Sequence, residues 1–324
     1  MTLHERDLAA ALPLWPHLQG AALRLLNHSE NHTFLLETRQ GERFTLRVHR
    51  PDYQNPASIE SELAWLTALR HDTDLPIPEP VPGQNGALLQ QFATPAGERR
   101  HAVLFRFIAG REPRIGEDLT SLFKILGDYA AQLHNHVASW KRPAGFARQA
   151  WSAATILEAD GLWGDWRVAP GVTPEIRAIL DRLDRELCRR LAAYGQGPER
   201  YGLVHADMRL GNLLVDGKRV SLIDFDDCGF CWFAYDFAAA VSFHETHNIL
   251  PELKDFWLEG YGAHRRLTAA DIAAIDSMVL LRRMALLAWI GSHGETDLAQ
   301  NHRIGFAEGT AMLAERYLKG PLWP

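Results

Sequence analysis

The chain has 324 residues, 47% of them hydrophobic and 23% charged, with a formal net charge of −6 at pH 7. That length can bury a large core and suits two lobes, and the composition is that of an ordinary globular protein. The basic residues are scattered and outnumbered, so there is no electrostatic footprint for nucleic acid, and no apolar stretch reaches the roughly 18 residues of a membrane span.

The first residues, MTLHERDLAAALPLW, hold two early acids and no apolar region with a cleavage site, so no signal peptide is expected. Three cysteines give no disulfide framework and fit a reducing, cytoplasmic setting. Cys228 and Cys231 form a C-G-F-C. It lacks the second ligand pair of a zinc site and the setting of a redox motif, and reads as two small buried residues beside the reacting groups.

Residues 21–26, 33–39 and 43–49 read as strands, the last two joined by a hairpin turn at Gln40-Gly41. The first two are joined by a polar turn, residues 27–32, dense in side chains that bond backbone groups. Two readings stay open: a loop that folds over phosphates through N–H groups, Ser29 and Asn31, or an ordinary hairpin loop without G-x-G-x-x-G. Arg47 lies near the end of the third strand, with Leu46 and Val48 facing the other side. A cation there can reach the α- and β-phosphates of a nucleotide. Residues 59–70 are helical, with Ile59, Leu63, Leu66 and Leu69 on one face. Glu62 lies beside that face as a partner for Arg47, and Glu60 is its competitor.

The proline-punctuated stretch 75–82 is extended. Strands at 87–92 and 101–108 bring the count to about five strands and one helix, closing at Ala109-Gly110, where a glycine offers a hinge. The chain then turns helical. Residues 118–137 carry an apolar stripe through Leu119, Leu122, Leu126, Tyr129, Ala130 and Leu133, with His134 and His136 read as surface or core-edge residues. Residues 151–166 are aromatic-rich without a clear element. Residues 173–194 form an amphipathic helix with Thr173 as N-cap and Pro174 in the first position. Beyond residue 227 a Gly-aromatic turn leads to helices at 235–244, 252–262, 269–290 (capped by Thr268) and 297–318.

Residues 203–227, LVHADMRLGNLLVDGKRVSLIDFDD, carry the chemistry. They hold His205-Ala206-Asp207, then Asn212, then a second apolar run ending in Asp224-Phe225-Asp226-Asp227. Two carboxylates and an amide at the ends of short apolar runs are what phosphoryl transfer from a metal nucleotide requires. One carboxylate accepts the proton of the attacking hydroxyl, while the amide and the other carboxylate hold Mg²⁺. The protein-kinase pattern H-R-D-L-x-x-x-N followed by D-F-G has the same Asp-to-Asn spacing. Arg209 fits two roles equally, neutralising charge on the transferred phosphoryl group or forming a salt bridge at the loop surface.

Together with Tyr235-Asp236-Phe237-Ala238, residues 104–110 (LFRFIAG) and Gln132-Leu133-His134, this block resembles the aminoglycoside phosphotransferase and choline-kinase-like family. That family includes homoserine-kinase-type and bacterial stress-kinase-type members of the protein-kinase-like fold. The resemblance implies an α+β, bilobal chain: a small β-rich N-terminal nucleotide-binding lobe (1–108) and a larger helical C-terminal lobe (109–324) for catalysis and acceptor binding. It implies ATP (or GTP) and Mg²⁺ as cofactors, Asp207 as catalytic base with Arg209 beside it, and Asn212 and Asp224 as metal ligands. Ser29, Asn31 and Arg47 would meet the phosphates, Glu62 would orient Arg47, and backbone groups from Arg106 to Ile108 would meet the adenine. His205 would brace the catalytic loop, and Asp236 would hydrogen-bond it from the following helix. Three departures stand out: Arg47 occupies a position where Lys is common, the phosphate loop lacks glycine, and Arg209 stands two residues after the base, where the antibiotic kinases tend to have His and many Ser/Thr protein kinases Lys.

The expected activity is transfer of the γ-phosphoryl of Mg·ATP to a hydroxyl of a small molecule, with Asp227, His244, Glu245 and His247 as candidates to line the acceptor side. A Ser/Thr protein kinase of the stress-kinase type is one alternative, but no activation segment with a basic docking cluster is visible. A regulatory protein that binds nucleotide without turnover is another, and the intact set Asp207, Asn212 and Asp224 speaks against it.

Overall fold

The computed structural model describes every residue except 1, 2, 4, 29, 30, 52, 53 and 324. The chain forms two compact units. The first comprises Met1–Arg111, Lys141–Arg148 and Leu214–Asp226, and the second comprises Glu112–Trp140, Gln149–Leu213 and Asp227–Pro324.

In the first unit, β1 (Ala22–His28), β2 (His32–Glu37) and β3 (Arg43–Val48) precede α1 (Pro56–Asp72), followed by β4 (Pro80–Val81), β5 (Gln90–Ala93) and β6 (Arg99–Arg106). They build an antiparallel six-stranded sheet in the order β1-β2-β3-β6-β4, with β5 also on β6. The strand beyond the expected five is β4. Its Pro80 cannot donate to a ladder, and it is tolerated because β4 lies at the edge of the sheet.

The register Phe34↔Leu46 and Leu36↔Phe44 sets four large apolar side chains on one buried face. Three short 3-10 turns, Glu5–Leu8, Leu12–Leu14 and Pro16–Leu18, and the residues that join them add Leu8, Ala11, Trp15 and Leu18 to the same core, all fully enclosed. That spacing is helical in period, but Pro13 and Pro16 each remove an N–H from a continuing α-helix and leave 3-10 turns instead. Helix α1 starts where Asn55 accepts from the Ser58 N–H at 2.9 Å, with Pro56 at the first position. Its buried face holds the four expected apolar residues together with Trp65 and Glu62, while Glu60 is exposed.

The second unit opens with α2 (Leu119–Ser139), α3 (Ala153–Leu157), α4 (Pro174–Tyr194) and β7 (Tyr201–Val204). The hairpin β8 (Leu213–Asp216) and β9 (Arg219–Leu222) follows, and residues 214–226 are counted with the first unit. Then come β10 (Gly229–Trp232), α5 (Tyr235–Ala240), α6 (Leu250–Gly262), α7 (Ala269–Ser292), α8 (Asp297–His302) and α9 (Phe306–Lys319). The expected Gly-aromatic turn is in fact strand β10, paired antiparallel with β7. Cys228 and Cys231 are buried as expected, and the Cys231 thiol donates to the Trp151 carbonyl at 3.1 Å. The helix expected over 297–318 is two, broken at Gly305, whose φ of 76° is left-handed.

Helices α2 and α6 cross at backbone contact. A Cβ on Gly127 would overlap the Trp257 carbonyl oxygen, and one on Gly260 would overlap that of Lys124. Helix α7 is buried over nearly its whole length. It therefore shows no one-sided apolar stripe in sequence, as expected of a helix enclosed all round. Its core carries two adjacent charges, Arg282 and Arg283, which are 1% and 4% exposed.

Candidate functional site

In the second unit the chain leaves β7 at Val204 and turns through His205, Ala206 and Asp207. Ala206 has φ 66°, a left-handed conformation that costs an L-residue roughly 1–2 kcal/mol. Fixed partners hold it there. The Ala206 N–H donates to Asp236 Oδ1 at 2.7 Å and the His205 N–H to Asp236 Oδ2 at 3.2 Å. The carboxylate that receives both sits on α5, as the resemblance implied.

His134 corrects the sequence reading. It is neither at the surface nor at the core edge but fully buried, with its ring stacked on Phe233 at 4.4 Å. Its Nε2 lies 3.0 Å from Asp236 Oδ2 and its Nδ1 2.9 Å from the Tyr261 hydroxyl. Burial lowers its pKa against the pull of Asp236. The neutral ring then donates from Nε2 to the carboxylate and accepts from the tyrosine. The helix α2 histidine thus fixes the group that fixes the loop.

Asp207 is enclosed by donors. Its own N–H donates to His205 Nδ1 at 3.2 Å. Asn212, in the 3-10 turn Leu210–Asn212, donates from Nδ2 to Asp207 Oδ2 at 2.5 Å and to the Asp207 carbonyl at 2.8 Å. Arg209 Nε lies 3.2 Å from the same Oδ2, so this side chain pairs with the carboxylate. The other oxygen, Oδ1, is ion-paired with Arg282 of α7. Burial alone would raise the Asp207 pKa, but Arg282, Arg209 and His205 outweigh it and hold the carboxyl below the usual range. The group is an ionised, oriented acceptor.

The first unit assembles a second polar set. Arg47 on β3 donates from Nη2 to Glu62 Oε2 on α1 at 2.6 Å. Its Nη1 is 3.7 Å from Asp224 Oδ1, and the guanidinium lies 5.2 Å from the Phe105 ring centre. Burial opposes its charge, and Glu62, Asp226 and Asp224 more than restore it. Glu62 is the partner and Glu60 is not. Asp224 has φ 63° and an exposed carboxylate, its side chain 47% accessible.

Two residues on, Asp226 is buried and accepts from Asn31 Nδ2 at 2.8 Å. Asn31 Oδ1 accepts from the Arg50 N–H at 3.3 Å, so the Asn31 amide is committed at both ends within the chain. Burial raises the Asp226 pKa, while Arg47, Arg148 and the Asn31 hydrogen bond bring it below the ordinary value. Arg148 also donates to the Asp226 carbonyl.

Ser29 lies outside the described residues. Arg106 ends β6 with an exposed side chain, Nε 3.3 Å from Glu79 Oε1. The N–H groups of Arg106 and Phe107 are taken by the carbonyls of Glu79 and Arg43, and Ile108 is half-buried. The structure thus connects Asn31 (through Asp226), Arg47, Glu62 and Asp224 in one unit, and Asp207, Arg209 and Asn212 in the other. Among the described residues no hydrogen bond or ion pair ties Arg106 or Ile108 to either set.

Among the acceptor-side candidates, Glu245 is no exposed acid. It is buried and ion-paired with Arg283. His244 is half-buried and His247 exposed. The Asp227 carbonyl accepts from Trp151 Nε1 at 2.8 Å and Gln149 Nε2 at 3.2 Å. Two residues of these sets escaped the sequence reading, Asp226 and Arg282. For Arg282 a signal was present: two adjacent arginines inside the apolar run MVLLRRMALLAWI. Buried cations in such a run need partners.

An antiparallel sheet ahead of a helical region that carries this loop is the protein-kinase-like fold of the small-molecule phosphotransferases. The phosphotransferase enzyme family matches residues 22–271, and the chain belongs to it. Its solved relatives include a microcompartment-associated aminopropanol kinase, 45% identical, with 95% of this chain and 96% of that one covered and a TM-score of 0.87. The amicoumacin kinase of Bacillus subtilis (strain 168) is 25% identical over 296 residues, 87% of this chain and 84% of that protein. A solved amicoumacin kinase in complex with AMP-PNP, Ca²⁺ and Ami covers 97% of this chain and 93% of its own, at 20% identity and a TM-score of 0.75. The protein is a kinase, and its named relatives support a small-molecule acceptor. No helix among the described residues is long and apolar enough to cross a membrane.

Proposed function

We propose that this kinase transfers the γ-phosphoryl group of ATP, with Mg²⁺, to the hydroxyl of a short amino alcohol of the aminopropanol kind. One observation carries the chemistry: an ionised Asp207 carboxylate held at the turn after β7 by Asn212, Arg209 and Arg282. The likeness to the aminopropanol kinase, at 45% identity over 95% of the chain, supports the choice of acceptor.

In this reading Asp207 orients the acceptor hydroxyl and takes its proton. Its partners keep its pKa low, so it is a weak base. Proton transfer then comes late, after the bond to phosphorus has begun to form, as suits a loose transition state. Arg209, shared with Asp207, would face the charge on the transferred group. Arg47, pinned by Glu62, would meet the nucleotide phosphates. The backbone of Arg106 to Ile108 would serve the base, with the Ile108 amide as the next one after two already bonded. Ser29 and Asn31 would shape the phosphate loop, Asn31 through its tie to Asp226. Residues 1–108 would form the nucleotide-binding part and 109–324 the catalytic and acceptor-binding part, with segments 141–148 and 214–226 belonging to the first compact unit.

The donor chemistry fits Mg²⁺. Asn212 has its Nδ2 committed to Asp207, which leaves its amide oxygen for a cation, and Asp224 offers an exposed carboxylate. Hard oxygen ligands of this kind suit that ion. When bound, it would neutralise charge on the phosphates.

The test is a panel of hydroxylated amines and polyols incubated with Mg·ATP, followed by ADP release and the mass of the product. A phosphorylated amino alcohol formed in preference to the amine-free alcohols is expected. Turnover of polyols alone, or label from ATP appearing only in protein when a lysate is supplied, would overturn the acceptor class.

A further inference from the structure

Helix α7 brings to the catalytic loop a residue that the loop's own sequence does not contain. Arg282 is 1% exposed in the middle of an apolar helix, and each of its nitrogens has a partner. Nη2 pairs with Asp207 Oδ1, Nη1 donates to the Ala206 carbonyl at 3.2 Å, and Nε donates to Ser242 Oγ at 3.0 Å. Two of the three partners belong to the turn that presents Asp207.

The neighbouring arginine shows what a purely architectural partner set looks like. Arg283 binds Glu245, Thr310 Oγ1 and the Phe306 carbonyl, and touches nothing of the loop in those bonds. Arg282 is also confined by aromatic rings. Its guanidinium carbon lies 5.1 Å from the Trp163 ring centre and 6.0 Å from that of Tyr235. A planar, fork-shaped cation between rings on a buried helix has one orientation.

We propose that Arg282 is a positioning residue for phosphoryl transfer. By gripping Asp207 Oδ1 and the carbonyl of the left-handed Ala206 together, it fixes the direction in which the carboxylate meets the acceptor hydroxyl. A carboxylate has about four lone-pair directions. Arg282, Asn212 and Arg209 occupy three of them. The acceptor hydroxyl has one left, so its approach is set by exclusion as well as by attraction. A hydrophobic residue at 282 would leave Oδ1 without its partner and release the Ala206 carbonyl, and the carboxylate could then rotate. This inference rests on the reading of Asp207 as the group that orients the acceptor.

Three full-length variants, Arg282→Lys, Arg282→Gln and Asp207→Asn, compared with the parent separate the two ideas. Each is first checked for folding by thermal melting, then assayed at saturating Mg·ATP and aminopropanol. Loss of orientation predicts that Arg282→Gln lowers kcat by about 100-fold, with both KM values within about threefold of the parent. Arg282→Lys, which keeps the charge without the fork, should recover about a tenth of the parent kcat. A kcat within threefold of the parent for Arg282→Gln, alongside an inactive Asp207→Asn, would overturn the proposal for Arg282 and leave the Asp207 reading standing. An Asp207→Asn variant as active as the parent would overturn both. Failure of both Arg282 variants to fold would make Arg282 an architectural residue like Arg283, and would also overturn it.

Discussion

Two buried arginines, one in each unit, hold carboxylates in opposite senses. In the first, Arg47 is the more accessible partner at 7% side-chain exposure, and Glu62 is fully enclosed. With Asp207 and Arg282 the order is reversed, since the carboxylate is the more accessible partner, at 13%, and the arginine is enclosed, at 1%. A buried ion pair is a poor source of net stability, because desolvation consumes most of the Coulomb gain, but breaking one side leaves an uncompensated charge. Both pairs are therefore better explained by orientation than by stability, and the partner at the back can be told from the partner at the front by exposure and by what else it bonds.

The sharpest way to break the comparison is at the presented carboxylate. Asp207→Asn keeps the shape and most of the hydrogen bonds, and we expect kcat to fall about 10³-fold, at the scale of a general base. Single-turnover ATP consumption with the best acceptor measures it, and an unchanged rate would remove Asp207 from the chemistry. Next in size is the pin of the other pair. Glu62→Leu strands Arg47 in the interior and should lower stability by about 3 kcal/mol. Denaturant unfolding reads that loss, and a raised KM for ATP with an unchanged KM for the acceptor should accompany it. Equal weakening of both substrates would mean that Arg47 does not serve the nucleotide.

A third test uses pH. His49 is buried, neither ring nitrogen has a hydrogen-bond partner among the described residues, and burial together with Arg47 lowers its pKa to about 3. The folded state thus refuses a proton that the unfolded chain accepts below its ordinary pKa of 6.5. Its contribution is whole above pH 6.5 and falls as pH drops from 6.5 toward 3, by at most about 1.4 kcal/mol per pH unit. His49→Gln should flatten the difference in urea midpoint between pH 7 and pH 5, and an unchanged slope would show that His49 already carries its proton in the fold. The smallest effect belongs to the exposed competitor. Glu60→Gln should change neither stability, to within about 0.5 kcal/mol, nor KM for ATP.

The contrast also explains what was legible in the sequence. Arg47 and Glu62 are fifteen residues apart on consecutive elements, and strand alternation plus helical period place them toward each other. Asp207 and Asn212 stand five residues apart in one turn, so their meeting was legible from spacing alone. The Arg282–Asp207 pair spans 75 residues, and neither strand nor helix periodicity reaches across such a gap. The Asn31–Asp226 bond spans 195 and was missed for the same reason. Elements fared likewise. The apolar face of α1 followed from period, whereas β4 and β10 form only because distant strands offer them a ladder. His134 was misjudged because a histidine on an otherwise apolar helix shows its burial only when Asp236 and Tyr261 are placed around it.

The glycine crossing of α2 and α6 acts at a distance from all of these groups. With no Cβ at Gly127 or Gly260, the two helices rest backbone on backbone, and the axial offset between them has no slack. His134 and Tyr261 ride on those same helices and set the height of Asp236. The crossing is in effect a gauge that calibrates the loop after β7. A Gly127→Ala substitution would force the two helices apart and so shift the His134–Asp236 contact that holds the turn, without touching Asp207.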